Sequence, residues 1–128
     1  PLGCNDFLYG LSFKYDKIKE INEVIIVEGS KSVWKLEGWG VDNVLSLETN
    51  RINEYQIRLL LELKSNITIA LDKGVHVKDI RKNFGKLSKF TNVYVMYDTE
   101  GLLDDKDAPC DKGKEVWDRL YSNKIKLR

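Results

Sequence analysis

The sequence predicts a three-layer α/β/α domain on a four-stranded parallel sheet. Four short apolar runs read as buried strands: EVIIVE (23–28), VDNVLSLE (41–48), NITIALD (66–72) and NVYVMYD (92–98). Segments with apolar residues at helical spacing lie between them. Strands that alternate with helices pair in parallel, because each crossover carries the chain back to the same end of the sheet. A chain of 128 residues is long enough for one core and too short for two.

The elements follow in order. Residues 1–22 form a lead-in segment with a short helix near 14–20, and the domain proper spans 23–128. Ser30 is placed to cap a helix that runs to about Trp39, with Val33, Trp34 and Leu36 facing the core. Gly38 and Gly40 end that helix. Asn53 and Gln56 stand at capping-box spacing for a helix over 53–64 that carries Ile57, Leu59, Leu60 and Leu63. A third helix, 77–89, carries Val77, Ile80, Phe84 and Leu87. The loop EGLLDDKDAPCDKG (100–113) leads to a last helix with Val116, Trp117, Leu120 and Tyr121 inward. Trp34 and Trp117 read as core residues, and Trp39, between two glycines, as partly exposed. The tail KIKLR (124–128) is expected to continue into a partner domain or to fray.

Composition narrows the function classes. Hydrophobic residues make up 42% of the chain and charged residues 32%, a folded rather than a disordered balance. No apolar run approaches the ~20 residues of a membrane helix, and no signal-peptide pattern opens the chain. Twenty-one Lys and Arg against 20 Asp and Glu leave +1, so the domain as a whole is not a basic nucleic-acid clamp. Contact with polyanions then runs through a local patch or a bound cation. Cys4 and Cys110 fit no zinc spacing and are too sparse for a disulfide framework, so they read as reduced thiols in a cytoplasmic protein. The start at Pro1, without Met, reads as that of a fragment of a larger protein.

The acids carry the chemistry. Glu28 ends the first strand, Asp72 the third and Asp98 the fourth. All C-terminal strand ends of an open parallel sheet share one edge, the edge where ligands bind in such folds. Oxygen ligands without a His or Cys cluster favour a hard cation, Mg²⁺ or Mn²⁺. Lys73, Lys106 and Lys112, with Lys78, stand near this rim as candidate phosphate contacts, weighed against a plain solvated face. Other chemistries lack their motifs. No G-x-G-x-x-G follows the first strand and no Walker lysine loop exists. His76 has no serine elbow to serve, and Cys110 sits beside Pro109 among acids that disfavour a thiolate.

VIIVEG (24–29), followed by an apolar strand ending in Asp72, resembles the Toprim domain, which carries a Glu-Gly motif after strand one and an Asp-x-Asp motif after strand three. The resemblance is closest to bacterial and phage DnaG-type primases. FLYGL (7–11), VIIVEG, VDNVLSLET (41–49) and KDAP (106–109) stand in matching order over nearly the whole chain. It implies a Toprim-like fold of strand order 2-1-3-4 and a metal-dependent nucleotidyl transfer that makes RNA primers on single-stranded DNA. It implies Glu28 and Asp72 as catalytic residues, and Glu28, Asp72, Asp98 and Asp107 as holders of Mg²⁺ or Mn²⁺. Asp107 matches the first acid of the primase Asp-Pro-Asp segment, with Pro109 shifted by one residue. One position departs from the pattern: the second acid of Asp-x-Asp is Gly74, in LDKG (71–74). Nucleoside triphosphates and single-stranded DNA are the implied partners of the parent protein, with a helicase among the candidates, and the isolated domain is expected to be monomeric. Two other readings stay open: a Toprim nuclease or RNA-maturation enzyme, and a catalytically weak module that binds metal or a partner.

Overall fold

The computed structural model describes residues 2–49 and 51–128, with side chains from residue 10 onward. Pro1 and the side chains of Cys4, Phe7, Leu8 and Tyr9 lie outside the described residues. The chain runs α1 (Leu2–Ile21), β1 (Glu23–Val27), α2 (Ser30–Gly38), β2 (Val44–Ser46), α3 (Glu54–Leu63), β3 (Asn66–Ala70), α4 (Val77–Phe84), β4 (Val93–Val95), α5 (Lys114–Ser122) and β5 (Ile125–Lys126). The sheet order is β2-β1-β3-β4-β5. β1 to β4 pair in parallel in the expected order, with Val27 opposite both Ser46 of β2 and Ala70 of β3.

Side chains of successive strand residues leave on opposite faces, which builds the two helical layers. Val24 and Ile26 of β1 pack with Ile67 and Ile69 of β3 against Ile18 of α1, Leu60 of α3 and Phe84 of α4. Ile25 and Val27 pack on the other face with Leu36 of α2 and Trp117 and Leu120 of α5. No helix among the described residues is long and apolar enough to cross a membrane.

Several local expectations are corrected. The sheet has five strands rather than four: β5 runs antiparallel to β4, with Tyr94 opposite Lys126. Burial of Leu127 and a 2.7 Å bond from its N–H to the Val93 carbonyl hold the tail against the sheet edge instead of letting it fray. The helix of the lead-in is 20 residues long and starts far upstream of residue 14. Gly10 lets it lie close on β2, since a Cβ there would meet Leu45 Cδ2 at 3.1 Å. Gly29, not Ser30, is the N-cap of α2, and no side chain caps that helix. Trp34 is 67% exposed, because α2 buries the stripe through Ser32 and Leu36 and turns Trp34 away from it. Val77, the first residue of α4, is also exposed. The third helix stops at Phe84, before Gly85, and Leu87 reaches the core from a separate 3₁₀ turn. The Asn53–Gln56 capping box forms as read, with Asn53 Oδ1 accepting from the Gln56 N–H at 2.8 Å.

Candidate functional site

β1 and β3 are neighbours in the sheet, but the chain leaves them for opposite flanks, β2 on one side and β4 on the other. Their C-terminal ends therefore border the crevice where a doubly wound sheet switches direction. Glu28 follows Val27 directly, and Asp72 lies two residues beyond Ala70, the partner of Val27. This register brings the two carboxyls together. Glu28 hydrogen-bonds with Asp72, and its pKa is raised to about 7 by burial first, then by that bond and by the Asp72 charge. The Glu28 carboxyl therefore holds its proton to a higher pH than an ordinary glutamate does.

Asp98 lines a cleft of about 260 Å³ beside Asp72, Lys73, Gly74 and His76, with Ile80, Met96 and Leu103 among its apolar walls. Its oxygens are already engaged. Oδ1 accepts the Leu102 N–H at 2.7 Å, and Oδ2 accepts the Leu103 N–H at 2.8 Å and Lys73 Nζ at 3.0 Å. Burial alone would raise the Asp98 pKa, but the two backbone donors and Lys73 outweigh it and hold the carboxyl below its ordinary value. Lys73 also donates to the Leu103 carbonyl at 2.8 Å, and its N–H to the Asp107 carbonyl at 2.7 Å. The β3–α4 turn and the acidic loop are thereby joined. Gly74 takes φ +107°, a backbone open to glycine and costly for other residues.

Asp107 turns its carboxylate into its own loop. Oδ2 accepts the Asp104 N–H at 2.8 Å and lies 3.4 Å from Lys112 Nζ. Lys112 makes its shorter contact, 2.5 Å, with Asp104. Lys106 is exposed, with φ +68°. Of the sequence-read residues, Glu28 and Asp72 meet, Asp98 shares a cleft with Asp72 while bound to Lys73, and Asp107 and Lys112 pair within the loop. Cys110 is buried and its thiol pKa is pushed up, mainly by burial, which agrees with its reading as a poor nucleophile.

The pairing of Lys73 with Asp98 escaped the sequence reading, and nothing in their spacing marks it. The Tyr97 hydroxyl, also in the wall of the cleft, is buried with no hydrogen-bond partner. Among the described residues no group of three or more His, Cys, Asp or Glu is arranged around a common metal position. The Glu28–Asp72 pair nevertheless suits a hard divalent ion. Burial, and then the Asp72 carboxyl, make Glu28 hold a proton that a cation would replace, and Mg²⁺ keeps several waters while using only one or two carboxylates.

No protein-family model matches the chain. The SPbeta prophage-derived uncharacterized protein YorJ of Bacillus subtilis is 34% identical over 140 aligned positions, which cover 94% of this chain and 37% of YorJ. The DNA primase of Staphylococcus aureus is 26% identical over 101 positions, 77% of this chain and 17% of the primase. Among solved structures, the zinc-binding and RNA polymerase domains of the Aquifex aeolicus primase superpose with a TM-score of 0.72 at 28% identity, over 92% of this chain and 30% of that one. The chain therefore spans little more than a third of the first of these relatives and less of the others.

Proposed function

Because the chain is homologous to the Toprim-like region of the DnaG primase catalytic domain, we propose that it supplies the metal-binding catalytic edge for nucleotidyl transfer in primer synthesis on single-stranded DNA. The meeting of Glu28 and Asp72 at the switch point carries this reading. Mg²⁺ or Mn²⁺ held there would provide Lewis acidity, favouring the ionised 3′-hydroxyl and offsetting charge on the phosphates of a nucleoside triphosphate. Glu28 and Asp72 would hold the ion, directly or through water. Glu28 has a second use: a carboxylate bound to the ion through water is placed to accept a proton from a hydroxyl or a bridging water. Lys106 and Lys112, both exposed on the acidic loop, are more accessible than Lys73 among the three proposed phosphate contacts.

Gly74 supports one other reading, a module that binds metal without turnover, because it supplies no carboxylate where the family pattern has its second Asp. The parent protein, assayed with nucleoside triphosphates and Mn²⁺ on single-stranded DNA, separates the possibilities. Short RNA products that vanish with Glu28→Gln support primer synthesis. Nicking of the template would assign nuclease chemistry instead, and metal binding with neither product would assign the module.

A further inference from the structure

The second acid of the family's motif is missing at Gly74, and the residue just before it is a lysine. Lys73 is not a solvated side chain. Its ammonium is held by Asp98 Oδ2 at 3.0 Å and the Leu103 carbonyl at 2.8 Å, and its N–H is tied to the Asp107 carbonyl at 2.7 Å. The carboxylate it meets is 5% exposed, while the lysine side chain keeps 30% of its exposure toward the cleft. A buried carboxylate needs a compensating cation. In this chain the protein itself provides one, from the residue that follows Asp72 and lines the same cleft.

We infer that Lys73 takes the place of a second cation, so that the site accepts a single divalent ion, at Glu28 and Asp72. The inference rests on the metal reading of that pair and adds its stoichiometry. A tethered ammonium offsets negative charge on a phosphate but brings no exchangeable waters and no adjustable coordination. The lack of a carboxylate at Gly74 and the fixed positive charge of Lys73 both disfavour a second ion.

The number of Mn²⁺ ions bound per chain, measured by electron paramagnetic resonance of free Mn²⁺ and by calorimetry, tests this directly. The wild-type protein should bind one. Lys73→Met, which leaves Asp98 without its counter-ion, should bind a second, weaker ion, and Lys73→Met/Asp98→Asn should return to one. Asp98→Asn alone should leave the count at one. Two ions in the wild type would overturn the inference whatever the variants do, as would a folded Lys73→Met that binds only one. Loss of the single ion in Asp98→Asn would overturn it too. A wild-type protein that binds none would instead defeat the metal reading of Glu28 and Asp72, an outcome distinct from the other three.

Discussion

The Glu28 carboxyl is in hydrogen-bonding contact with that of Asp72, across two adjacent parallel strands whose last paired residues are Val27 and Ala70. The two acids are far apart in sequence, and only the β1–β3 register brings them together. Such a contact lowers the folded protein's stability unless a proton or a cation neutralises it.

Folding should register that cost as pH rises. Glu28 has an ordinary value of 4.5 and a folded value of about 7. Below 4.5 both states hold the proton and stability is undiminished. Between the two values the unfolded chain releases a proton that the folded chain retains, so stability falls, and above the folded value the loss is complete. Glu28→Gln cannot ionise. With metal chelated, we expect its melting temperature to match wild type at pH 4 and to exceed it by several degrees at pH 8. Equal melting temperatures at both values would mean that neither burial nor Asp72 raises the Glu28 pKa.

Asp98 gives the opposite sign. Its carboxyl lies below the ordinary 3.8, so its contribution is present above that value and is lost as pH falls through the lower folded one. Asp98→Asn removes the charge that binds Lys73 and weakens acceptance of the Leu102 and Leu103 N–H groups. A loss of about 2–3 kcal/mol at pH 7 is expected, measured by urea unfolding. The gap from wild type should narrow below the ordinary carboxylate value.

Restoring the family's acid should not help. Gly74 has φ +107°, although a Cβ there would meet nothing within 4 Å. The cost of Gly74→Asp is therefore backbone strain rather than collision, about 1–3 kcal/mol. Denaturant unfolding should show that loss, and Mn²⁺ affinity should not tighten. A variant as stable as wild type with tighter Mn²⁺ binding would contradict this account.

The parts of the fold carried by local pattern were legible in the sequence. Asn53 and Gln56 show why: both halves of their capping box lie within one turn, so spacing alone specifies it. Strand order and the rim position of Glu28 and Asp72 were legible through the resemblance and the strand pattern, and the structure bears out that order. Trp34 was misplaced because a nine-residue helix with few apolar residues leaves its buried stripe ambiguous. β5 was missed because two residues flanked by charge show no alternation, and its one anchor, Leu127, follows the strand. The Lys73–Asp98 pair depends on how the β3–α4 turn meets the acidic loop, a tertiary fact that no spacing records.

The capping box offers a calibration away from the site. Asn53→Ala removes the acceptor of the Gln56 N–H and should cost about 1 kcal/mol, leaving Mn²⁺ binding unchanged. A shift in metal affinity would mean that α3 bears on the site.

The central claim is that Glu28 and Asp72 together hold a divalent ion, and Mn²⁺ titration of wild type, Glu28→Gln and Asp72→Asn tests it most directly. Wild type should bind Mn²⁺, and each variant, still folded by circular dichroism, should lose at least tenfold in affinity. Unchanged affinity in both folded variants would contradict the claim and move the cation site away from this pair.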